Sequence, residues 1–394
     1  MQQYNMEEVL EICRKKAELH MDNYGEKPFD YSACKEGSYE KESTKNDLNE
    51  MTSWMSSFVT GLAPIHFWCT KDTKFLKWAN KFKSCYHDKV FVNYMKTMHD
   101  IGFLYSPYSV AMYNLTGDEE HKITALKAAD ELLKRFDIKG GYIDAWNSMA
   151  EEDRVGRAII DCMMNVSLLL WAWKQTSHTI YKDVAAAHIE TTKKYFIRDD
   201  LSVAHSYLFD RKTGKMIKED NNCGYSNGSH WARGTAWAVY GFAVAARYLD
   251  NKEYYEIAEK IAKKYISEIP DGKFVPMWDF RLPKEYPAKF CGKIDVVPWD
   301  ETDEKNKEYA VDTSAAAVMA CGIYELNSVK ENASLKEFAD KTIENLCTEK
   351  YFDDDIKHTG ILKRQNGRMD YTTFGDYFFT EALARKLYKM PVCW

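Results

Sequence analysis

Residues 157–173 read RAIIDCMMNVSLLLWAW. Only Arg157, Asp161 and Asn165 interrupt the apolar and small side chains, and they mark out no polar face. Such a stretch reads as a helix buried on every side. A buried carboxyl without a partner is expensive, or its pKa climbs until it stays protonated. Asp161 is therefore either tied down as a structural group or kept as an acid for chemistry.

Working outward, the same kind of segment recurs. Stretches rich in Ala, Gly and aromatics and poor in charge are expected as helices at 54–67, 100–113, 161–173, 231–248, 312–326 and 375–387. Amphipathic helices with a charged face are expected between them, at 6–20, 74–86, 119–136, 181–196, 252–266 and 335–350. Strict alternation of the two kinds describes an all-α, (α/α)6 barrel, in which an amphipathic ring wraps an apolar inner ring and neighbouring units bury one another. No Gly/Ser or Pro linker breaks the series, so residues 1–394 are expected to form one domain. Strand-like alternation is brief, at 205–210 and 273–280. The Pro-bearing stretch 279–308 is expected to cross the barrel mouth as a loop.

Composition narrows the function classes. With 45% hydrophobic and 29% charged residues the chain is ordinary for a soluble globular protein. A net charge of −6 without a long basic run argues against nucleic acid or an anionic membrane as partner, and no apolar run reaches transmembrane length. The opening MQQYNMEEVLEICRKK lacks a basic n-region and an apolar h-region, which makes the cytoplasm the expected location. The 10 cysteines are scattered with no CxxC pair, and the histidines show no ligand spacing. Reduced thiols are expected, with neither a metal site nor a disulfide framework. Phosphate-cradling glycine loops are absent, so no cofactor is expected. The 11 Trp and 26 Tyr suit a cleft for sugar rings, or equally a thick helical core.

The polar residues of the inner helices gather at their N-terminal ends: Trp54, His99 and Asp100, Arg157 and Asp161, Trp231 and Arg233, Asp312, and Asp376. In an alternating toroid those ends open on one face, where helix N-termini favour an anionic ligand. Asp100 and Asp161 fit a carboxylate pair with pKa values pushed apart, or two N-terminal caps. Arg233, flanked by Trp231 and Trp237, suits a substrate carboxylate or an internal partner such as Asp312. Trp54 and Trp146 are stacking platforms or core. Gly224-Tyr225-Ser226-Asn227-Gly228 matches GxSxG, but polar EDNNC precedes it and SHW follows, where a nucleophile elbow needs a buried strand and a helix.

Five motifs in register, HDIGFLYS, IIDCMMNVSLLLWA, WARGTAWAVYGF, DTSAAAVMACGIYEL and DYTTFGDYFFTEAL, resemble the unsaturated glucuronyl hydrolases of glycoside hydrolase family 88, over about residues 54–385. The resemblance implies action on short oligosaccharides left by polysaccharide lyases, which end in a Δ4,5-unsaturated uronic acid. It also implies hydration of the vinyl ether: an aspartic acid protonates C4, water adds at C5, and the hemiketal opens and expels the neighbouring sugar. By position Asp161 matches the general acid/base, and Asp100 the aspartate that holds the sugar hydroxyls and stays charged. Trp54, His99, Trp146, His205, Arg233 and Trp237 match residues lining the site, and Tyr371 falls where the next sugar is faced. The chain departs from the family at WMSSFV, where WTxGFW is common, and at Asn222-Cys223, where a His-Gln pair is expected. Lys363, Arg364 and Arg368 are candidates for a sulfate contact. The expected partner is a small unsaturated oligosaccharide. Alternatives are rhamnogalacturonyl hydrolase chemistry on the same barrel, an (α/α)6 sugar epimerase, and a non-catalytic carbohydrate-binding protein.

Overall fold

The computed structural model describes residues 2–23, 33–40, 54–94, 97–146, 155–282, 310–365 and 371–394. Numbered in chain order, the inner segments are α2 (Ser56–Thr60) with α3 (Leu62–Thr70), α6 (Ile101–Tyr105) with α7 (Ala111–Thr116), α9 (Cys162–Thr176), α11 (Ala232–Leu249), α13 (Thr313–Val329) and α15 (Thr373–Tyr388). A π-helical turn, Ser106–Val110, joins α6 to α7. The outer segments are α1 (Met6–Asn23), α4 (Lys74–Asn80) with α5 (Lys83–Phe91), α8 (Glu119–Leu133), α10 (Thr179–Tyr195), α12 (Lys252–Ser267) and α14 (Ala333–Leu346). Around the inner ring α2 packs on α6, α6 on α9, α9 on α11, α11 on α13, α13 on α15, and α15 returns to α2. The ring closes as an (α/α)6 barrel.

Side-chain pattern explains which helix goes where. Every residue of α11 from Ala232 to Ala246 is buried, as a mostly apolar helix without a polar face demands. In α12 only one stripe is buried, Tyr254, Tyr255, Ala258, Ile261, Ala262 and Tyr265, at the spacing of a helix with one dry face. Packing between α6 and α9 is tighter than side chains permit: a Cβ on Gly102 would lie 2.4 Å from Asn165 Cα. Gly102→Ala is therefore expected to push α6 from α9 and lower stability by about 1–3 kcal/mol, measurable by thermal melting, with activity falling because the two helices carry Asp100 and Asp161.

The decisive stretch is not helical from its first residue. After two short hairpins, β1 (Ala33–Lys35) with β2 (Ser38–Glu40) and β3 (Phe136–Asp137) with β4 (Tyr142–Ile143), Gly156–Ile159 forms strand β5, paired antiparallel with β6 (Ser206–Phe209), with Gly156 opposite Phe209 and Ile159 opposite Ser206. β-branched Ile159 and Ile160 suit the strand and the turn that follows it, and the helix begins only at Cys162. Strand β7 (Met216–Glu219) extends this sheet beyond β6. The alternation at 205–210 thus marks a real strand. That at 273–280 does not: isolated bridges Met277–Val311 and Trp231–Asp279 tie the segment down instead. The outer helix expected at 74–86 breaks between α4 and α5, and the inner one at 54–67 breaks at Gly61. Most of the loop expected at 279–308 lies outside the described residues.

Candidate active site

Asp100 and Asp161 occupy the residue before the first turn of α6 and α9, yet neither side chain accepts a hydrogen bond from its own helix. Asp312 does: it caps α13 by accepting from Ala315 N at 3.1 Å. Capping therefore accounts for Asp312 and leaves the other two aspartates unexplained as structure. Asn165 lies between them. Its Oδ1 accepts from Phe103 N at 2.7 Å, and its Nδ2 donates to the Asp161 carbonyl oxygen at 3.2 Å.

Electrostatics separates the pair. Asp161 Oδ2 is buried without a hydrogen-bond partner. Burial pushes this carboxyl up to about 6, with the Arg233 charge pulling the other way. Burial, and then the Asp161 charge, push Asp100 up to about 8, opposed by Arg135 and Asn165. The two are one coupled system near neutral pH. With protein groups alone around it Asp100 is the more basic, whereas the family resemblance implies that it is the charged member. His99 Nε2 lies 3.3 Å from Asp100 Oδ1, and burial holds the imidazole well below its ordinary range, so it is neutral.

This arrangement makes stability depend on pH with a definite sign. A carboxyl raised to about 8 in the fold, against roughly 4 unfolded, binds its proton more tightly when native. Its contribution is present at low pH and is lost as pH rises through that window. Asp100→Asn is expected to melt higher than the parent at pH 8, by on the order of a few kcal/mol, with the gap closing toward pH 4. Melting curves at the two pH values check this.

Arg233 sits on α11 with Cζ 4.7 Å from the ring centres of both Trp231 and Phe374. Its Nη1 donates to Asp312 Oδ2 at 2.8 Å and to Ser314 Oγ at 3.3 Å. Of the two readings open for Arg233, the internal pairing with Asp312 is present, and its charge still reaches Asp161. His205 immediately precedes strand β6. Its Nδ1 accepts from Asn222 N at 3.1 Å, and burial lowers its pKa to about 3, so the neutral ring carries its proton on Nε2. The Cys223 thiol is pushed up to about 12 by burial and by the charges of Asp161 and Asp100. It lies beside the pair as a thiol and is unsuited to act as a nucleophile.

Aromatic residues surround this centre. Trp54 is half-buried and stacks on Phe374 at 4.9 Å and 25°. Trp146 is half-buried with the Arg157 guanidinium 4.8 Å from its ring centre, and Arg157 in turn pairs with Asp220 and with Ser206 Oγ. Trp237 is fully buried against Phe103 and Phe378, so it underlies the site and does not line it. The Tyr371 hydroxyl donates to Asp353, which also takes His358 Nδ1 at 2.9 Å. Lys363 Nζ donates to the Glu349 carbonyl oxygen at 2.6 Å and Arg364 O accepts from Thr313 N at 3.2 Å, while Arg368 lies outside the described residues.

Several positioning residues escape a reading of the sequence. Arg135, just past the end of α8, looks like an ordinary basic residue in a last turn. It is buried and donates to the carbonyl oxygens of Thr97 and Asp144 at 2.7 Å and of Trp146 at 3.0 Å, fastening the approach to Asp100 onto the segment that carries Trp146. Asp279 accepts from Tyr225 N, His230 N and Arg281 N, folding the loop that presents Cys223. Among the described residues no group of three or more His, Cys, Asp or Glu is placed to hold a metal ion, and no helix is long and apolar enough to cross a membrane.

The family described as Glycosyl Hydrolase Family 88 matches residues 32–271. This chain belongs to that family. It is 32% identical over 355 residues to the unsaturated glucuronyl hydrolase of Bacillus sp. (strain GL1), covering 87% of this chain and 88% of that protein. It is 30% identical over 350 residues to the unsaturated chondroitin disaccharide hydrolase of Streptococcus pneumoniae (strain ATCC BAA-255 / R6), covering 86% and 83%. The crystal structure of the Bacillus sp. GL1 enzyme, described as responsible for the degradation of glycosaminoglycan, superposes with a TM-score of 0.83 at 30% identity over 98% of this chain and 97% of that one. The family 88 barrel and the glycoside hydrolase class are thus established for this chain.

Proposed function

We propose that this chain removes a non-reducing Δ4,5-unsaturated glucuronic acid from glycosaminoglycan-type oligosaccharides by hydrating its vinyl ether, with Asp161 as the general acid/base. The observation that carries the reading is the buried, unpartnered Oδ2 of Asp161 beside Asp100. When sugar hydroxyls donate to Asp100 they stabilise its charged form. A charged Asp100 and the substrate's carboxylate then favour the proton on Asp161. Asp161 gives that proton to C4, the ring oxygen stabilises the positive charge at C5, and water adds there while Asp161 takes its proton. The C5 hemiketal opens, and the hemiacetal left at C1 expels the neighbouring sugar. Water is consumed and the acid is regenerated.

The other residues fall into place around that step. Arg233 supplies positive charge for the uronate carboxylate, His99 and His205 offer neutral hydrogen-bonding edges, and Trp54 and Trp146 present ring faces to the sugars. Trp237 supports them from beneath, and Tyr371 faces the next sugar. The free thiols among the described cysteines support a reducing, cytoplasmic setting for the reaction. The relatives named above act on glucuronyl and chondroitin substrates, which favours glycosaminoglycan products over rhamnogalacturonan ones. A panel of lyase-derived disaccharides from chondroitin, hyaluronan and pectin, followed by loss of the conjugated acid's ultraviolet absorbance, tests the reading. Turnover of a chondroitin or hyaluronan disaccharide is expected; turnover of the pectin disaccharide alone would transfer the function to the rhamnogalacturonyl class.

A further inference from the structure

Lys16 ends the run Arg14-Lys15-Lys16 on α1, where a solvated charge is expected, yet its side chain is wholly buried. Arg14 pairs with Glu11 and Glu18 on its own helix and Lys15 is exposed, while the third cation turns inward. A buried ammonium needs close partners. Lys16 Nζ donates to the Gly360 carbonyl oxygen at 2.7 Å and lies 3.5 Å from Asp353 Oδ1. Both partners also hold Tyr371. Asp353 Oδ2 accepts from the Tyr371 hydroxyl and, at 2.9 Å, from His358 Nδ1. The Tyr371 ring lies so close on Gly360 that a Cβ there would be 2.3 Å from Tyr371 Cδ1. Lys16 therefore grips the backbone beside the ring and the carboxylate at its hydroxyl end. These partners belong to the segment that leads into α15, not to the turns that carry Asp100 and Asp161.

We propose that Lys16, on the outer helix α1, is a positioning residue for recognition of the next sugar: through Asp353 and Gly360 it holds the Tyr371 ring in the orientation that the sugar meets. The inference rests on the assignment of Tyr371 to the next sugar made above, but the link between Lys16 and Tyr371 is a property of the protein without substrate. Without the ammonium, the Gly360 carbonyl loses its donor and Asp353 loses its buried counter-charge. The ring then loses the fixed surface and the fixed acceptor that orient it. Other elements carry the chemistry at the double bond, so the effect falls on the next sugar and not on the vinyl ether.

The test compares two substrates on the full-length chain: an unsaturated chondroitin disaccharide, and the methyl glycoside of the same Δ4,5-unsaturated glucuronic acid, which has no next sugar. Lys16→Met is expected to raise KM for the disaccharide about fivefold to tenfold, while kcat/KM for the methyl glycoside stays within about twofold of the parent. Lys16→Met combined with Asp353→Asn removes both charges, which covers the case in which the single variant does not fold, and it should lose the same preference. With 13C-labelled tyrosine, and Tyr371→Phe to assign the signal, the Tyr371 ring resonance should shift or broaden in either folded variant. A Tyr371 signal unmoved in a folded variant overturns the proposal. So does a parallel loss on both substrates, which marks a merely structural role. A preference lost in Tyr371→Ala but kept in folded Lys16→Met would overturn the role of Lys16 and leave the placement of the next sugar standing. A preference kept in Tyr371→Ala would strike that placement, and with it the specificity assigned to Lys16.

Discussion

Asp161→Asn is expected to lower kcat by roughly 10²–10⁴-fold, the range for removal of a positioned general acid. The amide keeps the size of the carboxyl and its place before α9, but it carries no transferable proton. Because the Asp161 side chain makes no capping bond to its helix, little fold stability depends on it. Removing a carboxylate whose Oδ2 is buried without a hydrogen-bond partner should leave the melting temperature level or raise it, the usual sign of a group kept for function at a cost to stability. Disaccharide binding, measured by calorimetry, should persist. Retained turnover would move the acid role to another group, and Asp100 would then be the first to examine.

Arg233→Ala is expected to destabilise the fold by about 3–5 kcal/mol, because it strands the fully buried Asp312 carboxylate. It also opens the slot between Trp231 and Phe374, each 4.7 Å from the guanidinium. The effect on activity should exceed what the folded fraction explains, since the charge that lowers Asp161 toward its working range is gone. Chemical denaturation gives the first quantity, and kcat/KM at a temperature where the variant is folded gives the second. Arg233→Lys should restore part of the stability but not the flat packing between the two rings. An unchanged denaturation midpoint in Arg233→Ala would show that Asp312 is satisfied without it.

The alternation of two helix kinds was enough to find the barrel because burial is a property of a whole segment: α11 has no polar face to mislead, and α12 has one clear stripe. Asp161 was legible for the same reason, as a charge where nothing should be charged. The short strands were harder. β5 is four residues long and shares its apolar character with the helix that follows, so periodicity cannot divide 156–160 from 162 onward. Nor can local sequence reveal partners set by the fold. Arg135 meets Trp146 through the barrel's geometry, Asp279 folds a loop some fifty residues earlier, and Asn165 looks like a stray amide until α6 is laid across it. The proton's place was the least legible feature. It depends on how burial and two opposing cations divide between Asp100 and Asp161, and the protein groups alone leave Asp100 the more basic.

The central claim is that the double bond, and not the glycosidic bond, is attacked first. An unsaturated chondroitin disaccharide and its saturated counterpart, incubated side by side with the enzyme, test it directly through ultraviolet absorbance and reducing-sugar release recorded together. The account predicts that the absorbance of the unsaturated compound is lost in step with release of the neighbouring sugar, and that the saturated compound is left intact. Release of sugar with the absorbance preserved, or cleavage of both compounds at similar rates, would contradict it.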